Sequence, residues 1–180
     1  MKLVPYLVTG VALLASSAAF AQSSATLPAV PATAHIFVAI TETLTNSGLA
    51  FGDIFQSATG GNVVLDPTNN TRTVTGGLTL GVIDPFNSAT ILVGGRRNAS
   101  FAITLPANGT VTLIGPGTAM PVNAFTAAVG AVALVSPFTS QLPNTAGATL
   151  TFKVGGTLVV GPLQTDGDYA GTFPVTVAYN

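Results

Sequence analysis

The chain has 180 residues, 48% of them hydrophobic and only 6% charged, with five Lys and Arg against six Asp and Glu, 20 Gly, 12 Pro, and no Cys or Trp. An ordinary domain carries about 25% charged residues, so Thr, Ser, Asn, Gln and Gly must supply most of the polar surface. A formal net charge of −1 excludes a surface that neutralises a run of nucleic-acid phosphates, the apolar share excludes intrinsic disorder, and the absence of thiols excludes disulfides, a thiolate nucleophile and thiolate metal sites.

Lys2 precedes an apolar run over 3–14 that only Thr9 interrupts with a polar side chain, and Ala19-Phe20-Ala21 before Gln22 is an A-x-A cleavage site. These features predict a cleaved secretory signal peptide at 1–21. The apolar run is shorter than the roughly 18 residues a membrane-spanning helix needs, and no Cys follows the site to take a lipid anchor, so no membrane span is expected after cleavage. Residues 22–33, rich in Ser, Thr, Ala and Pro, read as a flexible leader. One domain then occupies 34–180, a length that buries a core without disulfide or metal.

From there the chain reads as strands and turns. Apolar alternation over 36–41 and the pair Ile54-Phe55 flank a turn at Asn46-Ser47-Gly48. Runs at 62–65, 72–75, 78–83, 90–93 and 100–105 are separated by Gly60-Gly61, Asp66-Pro67, Gly76-Gly77, Asp84-Pro85 and Gly94-Gly95. Asn108-Gly109 supplies the positive φ angles of a tight hairpin and predicts pairing of 101–105 with 110–114. The apolar run 124–135 is compatible with a buried helix or a strand pair, and Gly130 favours the strands. Residues 149–154 alternate, Gly155-Gly156 is expected to turn the chain, and 157–160 continue it. In the last run Tyr169, Gly171, Phe173, Val175, Val177 and Tyr179 share one parity, so one face is buried and the other wet. Pro174 cannot donate a ladder hydrogen bond and points to an edge or bulge. The pattern is that of an all-β, antiparallel, Ig-like or Greek-key β-sandwich.

Reactive groups are scarce. His35 is the lone histidine, no G-x-S-x-G elbow accompanies it, and no second histidine offers a metal site, so it reads as structural. Asp166 and Asp168 flank Gly167 without the remaining ligands of a calcium loop and read as a solvated turn. Asn69, Asn98 and Asn108 begin N-x-S/T triplets that chance supplies in a chain this rich in Asn and Thr. Glycine pairs precede strands rather than helix N-termini and therefore cradle no phosphate. No catalytic, cofactor-binding or metal-ligating residue is expected.

The C-terminus, with Gly167, Tyr169, Phe173, Val175, Val177 and the penultimate Tyr179, resembles the C-terminal signature of chaperone–usher pilus subunits. That resemblance implies a last strand held in transit by a periplasmic chaperone, an outer-membrane usher, and a sandwich completed by an N-terminal strand from a neighbour. The chain lacks the sandwich disulfide of many pilins. The segments Leu49-Ala50-Phe51-Gly52-Asp53-Ile54, Thr71-Arg72-Thr73-Val74-Thr75-Gly76-Gly77, Phe101-Ala102-Ile103-Thr104-Leu105-Pro106, Val154-Gly155-Gly156-Thr157-Leu158 and Tyr169-Ala170-Gly171-Thr172-Phe173-Pro174-Val175-Thr176-Val177 together resemble a family of secreted bacterial proteins catalogued as a domain of unknown function.

Ala34, Ile36, Val38 and Ile40 form an apolar stripe behind the leader, and a strand so placed can complete a neighbour's sheet. Burying three large side chains there is worth about 5–9 kcal/mol before ordering costs. The same stripe can instead close its own sandwich, pairing with the C-terminal strand or its neighbour. The sequence thus predicts an exported, non-enzymatic subunit of a bacterial surface fibre, with residues 34–43 as donor strand and like subunits as partners. The alternative is a monomeric secreted or surface-attached binding module whose ligand meets loops 84–89 or 115–122.

Overall fold

The computed structural model describes residues 31, 33, 34 and 36–180. The expected signal peptide, nearly all of the leader and His35 lie outside the described residues. The chain divides into Met1–His35 and Ile36–Asn180, and among the described residues the second unit holds thirteen strands and no helix.

The architecture is built on β12 (Thr149–Val160), whose alternate residues Phe152, Val154, Leu158 and Val160 are buried. Lys153 and Val154 pair at once with β6 (Ala89–Gly94) and β9 (Met120–Val129), so these two neighbours occupy opposite edges of β12. Further along the β6 edge, Gly156 to Val160 pair with β3 (Gly61–Asp66). Beyond β6 lies β1 (Thr41–Leu44), beyond β3 lies β4 (Thr71–Val74), and β8 (Val111–Leu113) and β10 (Val132–Val135) follow β9. A three-stranded sheet in the order β11 (Phe138–Gln141), β7 (Ser100–Thr104), β13 (Thr176–Tyr179) forms the second layer. A two-stranded ribbon pairs β2 (Ile54–Phe55) with β5 (Thr79–Leu80). Every pairing is antiparallel. Phe101, Ile103 and Val177 from the smaller sheet share one buried cluster with Leu65, Val93 and Val154 of the larger. The Phe138 ring meets Phe152 edge-on at 6.2 Å, an arrangement that suits the aromatic quadrupole. The fold is the antiparallel β-sandwich that the strand spacing predicts.

Gly130, at φ 59°, turns β9 into β10, which settles the 124–135 run as a strand pair. Four expectations are corrected. The Asn108-Gly109 turn forms, with Thr110 N donating to Ala107 O, but β7 and β8 do not pair: Pro106 breaks the ladder, β7 joins the small sheet and β8 pairs with β9. The turn is tied instead to β9, Gly109 N donating to Asn123 Oδ1 at 2.8 Å and Ala124 N to Asn108 Oδ1 at 2.7 Å. Gly155-Gly156 does not turn the chain. It lies inside β12, where the register with β9 shifts between Gly155 and Thr157 as in a β-bulge. A Cβ on Gly155 would stand 2.2 Å from Leu65 O, so the pair marks close backbone approach. The 78–83 run contributes only the two residues of β5.

The fourth correction concerns the first strand. Alternation over 36–41 predicts a ladder there, yet strand pairing starts at Thr41, and β1 pairs with β6 of its own chain rather than with the C-terminal strand or its neighbour. At the other end, Tyr169, Phe173, Val175, Val177 and Tyr179 are buried or half-buried while Ala170, Thr172, Pro174, Thr176 and Ala178 are exposed. The predicted parity therefore holds except at Gly171, which is exposed, although the ladder covers only Thr176–Tyr179. Pro174 sits in the unpaired stretch just before β13, which is an edge strand.

Candidate functional site

Preceding β1, residues 36–40 lie outside any strand, and all but Ile40 are exposed. Ile36, Phe37 and Val38 are 88%, 62% and 58% exposed, while Ile40 packs against the core. Scattered exposed apolar side chains need no explanation, but three in succession form a contiguous apolar strip. The strip is tethered: the Tyr179 hydroxyl donates to Val38 O at 2.9 Å and accepts from Arg96 N at 2.7 Å. The Arg96 guanidinium lies over the Phe37 ring at 5.3 Å. Gly95 permits this approach, since a Cβ there would stand 2.3 Å from Tyr179 Oη.

The second element is an apolar cleft of about 400 Å³. Its lining includes residues 171–173 and 175 of the unpaired stretch before β13. Phe173 and Val175 of that stretch line it together with Leu44 of β1, Ile91 of β6, and Val111, Leu113 and Val122 of β8 and β9. Phe173 is braced by Phe125, ring centroids 5.0 Å apart. Glu42 is the sole ionisable group among the lining residues. Besides Glu42, the polar side chains of the lining are the hydroxyls of Ser47 and Thr172, and the rest offers apolar contact.

Of the residues singled out for polymerisation, Ile36 and Val38 belong to the exposed strip, Ile40 turns toward the core, and Ala34 is exposed in the other unit. Among the C-terminal residues, Phe173 and Val175 line the cleft and Tyr179 tethers the strip. Val177 is core. Gly167 and Tyr169 belong to a loop rather than a strand: the Tyr169 hydroxyl donates to Thr165 O and accepts from Gly117 N and Gln164 Nε2, closing that loop on itself.

A second cluster escaped the reading of the sequence. Arg72, on β4, donates from Nη1 to Phe51 O and to Asp53 O at 3.0 Å, and from Nη2 to Gly81 O at 2.6 Å. Its guanidinium covers the Phe86 ring at 4.7 Å, and its Nε is buried without a hydrogen-bond partner. Asp53 Oδ2 accepts from Asp84 N and Ile83 N, both at 2.8 Å. The Asp84 N–H first, then that of Ile83 and the Arg72 charge, hold the Asp53 carboxyl below its ordinary 3.8 against partial desolvation. The Asp84 carboxyl is raised by its hydrogen bond to and repulsion from Asp53. These contacts fix a loop that presents Val82 and Ile83, 95% and 87% exposed, beside a hollow of about 420 Å³ lined by Leu80, Pro85 and Phe86. The available signal was an isolated arginine amid β-branched residues in a chain with five basic side chains.

Among the described residues, no three His, Cys, Asp or Glu stand together as metal ligands, and no helix is long and apolar enough to cross a membrane. The fold and cleft define an antiparallel β-sandwich with an apolar cleft lined by its larger sheet and the stretch before β13. A family model described as "Domain of unknown function (DUF4402)" matches residues 39–179, and the chain belongs to that family. No curated protein and no solved structure was found to match it.

Proposed function

We propose that this protein is an exported structural subunit of a bacterial surface fibre, assembled by β-strand addition and without catalytic residues. Residues 34–40 of one copy, with Ile36 and Val38 as principal anchors, enter the apolar cleft of the next. The observation that carries this reading is the pairing of surfaces in one chain: an exposed apolar strip outside any strand and an apolar cleft lined in part by the unpaired stretch before β13. Each is poorly placed in water, and strand addition covers both. The near absence of edge charge removes a common guard against such pairing. A periplasmic chaperone and an outer-membrane usher are the corresponding partners in transit, and the cell surface the destination.

The test is the state of the secreted chain. Sedimentation velocity and negative-stain microscopy should find a ladder of oligomers or fibres; a single monomer at every concentration would overturn the reading. The second reading, a monomeric binding module, is favoured by the hollow at Asp84, Pro85 and Phe86, which lies on a loop expected to meet ligand and has a volume in the roughly 300–1,000 Å³ range of small-molecule sites. Leu80→Arg should abolish ligand capture in that case and leave fibre formation intact in the first.

A further inference from the structure

We infer that Tyr179 and Arg96 form a latch that parks the strand-donating segment on its own subunit and so limits when it can be given to another copy. The inference rests on the strand-addition reading and concerns how that same segment is controlled.

Both hydrogen-bonding directions of the Tyr179 hydroxyl are committed, one to the carbonyl of Val38 and one from the amide of Arg96. The hydroxyl therefore joins three separated parts of the chain: the donor segment, the turn after β6 and the penultimate residue. The turn supplies a second grip through the Arg96 guanidinium over Phe37, a contact that favours a cation on an aromatic face. Gly95 is the fitting that lets them meet, because any Cβ there would collide with the hydroxyl. The bond engages the Val38 backbone carbonyl, a group that a strand donated to another sheet must offer to its new ladder. Parking and donation thus compete for the same atom. Val38 and Ile36 remain largely exposed while parked, so the latch restrains the backbone and leaves the apolar side chains facing solvent. A contact of this kind reduces the fraction of donor-competent chains without altering the final assembled contacts.

The experiment compares the mature wild-type chain with Tyr179→Phe, which keeps the ring and removes the hydroxyl, and with Arg96→Gln, which keeps the backbone amide and removes the charge over Phe37. Chymotryptic cleavage after Phe37 in the dilute monomer reads the latch itself, and the melting temperature confirms the fold. Loss of one net hydrogen bond corresponds to about fivefold, so Tyr179→Phe should speed cleavage after Phe37 by roughly that factor, and Arg96→Gln by a smaller one. The assembly rate should rise in parallel, and the concentration at which polymer first appears should fall by a similar factor. Unchanged cleavage in both variants would show that no latch exists. Faster cleavage with an unaltered assembly rate would overturn the control while leaving strand addition standing. Faster cleavage in a protein that never assembles would remove strand addition, and the proposed control with it. Should Tyr179→Phe lower the melting temperature, Arg96→Gln, whose side chain touches only the segment's ring face in this scheme, carries the comparison.

Discussion

Ile36→Asp combined with Val38→Asp separates a strand meant for a neighbour from one that belongs to its own domain. In the isolated subunit both side chains face water, Ile36 almost entirely and Val38 by more than half. Exposed substitutions usually change stability by less than about 0.5 kcal/mol, or about 1–2 °C in melting temperature for a domain of this size. Full burial of Ile or Val is worth about 1.5–3 kcal/mol each, most of it unrealised in the subunit. About 3 kcal/mol is therefore at stake when both enter an apolar cleft, over a hundredfold in association constant, and an unpaired carboxylate in that cleft adds a further penalty. Assembly should disappear at concentrations where the wild type polymerises, with melting almost unchanged. A wild-type peptide spanning residues 33–43 should still bind the variant's empty cleft. Sedimentation velocity, a thermal melt and peptide titration read the three effects. Wild-type assembly by the double variant, or a melting temperature lowered by ten degrees, would refute the reasoning.

On the acceptor side, Phe173→Ser removes an aromatic wall of the cleft; loss of such an anchor costs about 2 kcal/mol or more, and titration with the 33–43 peptide should weaken at least about thirtyfold. Gly155→Ala places a methyl 2.2 Å from Leu65 O and 2.6 Å from Pro67 Cδ and should destabilise by about 1–3 kcal/mol. Gly156→Ala, whose nearest contacts are 3.4 Å, should be much milder in the same denaturant titration. Because the folded-state pKa of Asp53 is lowered, its contribution is present above the ordinary carboxylate value and lost as pH falls through the lowered one. The raised Asp84 runs oppositely, its contribution being lost as pH rises through the raised value. At neutral pH, Asp53→Asn should therefore speed amide exchange at Ile83 and Asp84, and Asp84→Asn should slow it; the reverse order would show that the carboxylates do not set the loop.

Strand identity was legible in most strands with one buried face, because burial imposes a period of two on the sequence, but the start of β9 at Met120 to Val122 had read as part of a loop. The clearest case is the run from Tyr169 to Tyr179, whose parity is correct at every position but Gly171, even where no ladder forms. Pairing was less legible. Asn108-Gly109 makes its turn, but a turn fixes only the local direction of the chain, and Pro106 sends the flanking strands to different sheets. Gly155-Gly156 was ambiguous because glycine serves both reversal and close contact, and only the Leu65 carbonyl on a strand far away in sequence decides between them. β11 went unread: Phe138-Thr139-Ser140-Gln141 is short and mostly polar, and its partner β7 lies well upstream. The cleft draws its walls from five separated stretches, none with a signature of its own. Arg72 was invisible as a clamp because its partners are backbone carbonyls, which every residue carries.

The placement of β12 has a bearing on the order of events during synthesis. Three strands hang on it, and two of them, β3 and β6, are made long before it. Until residue 160 has emerged they have no central partner, and such non-local pairing is slow to form. The roughly hundred residues from the start of β3 to the end of β12 take about 5–20 s to synthesise. Throughout that interval the growing chain has no finished sandwich, and a narrow passage encountered then would meet a polypeptide that does not first have to be pulled apart.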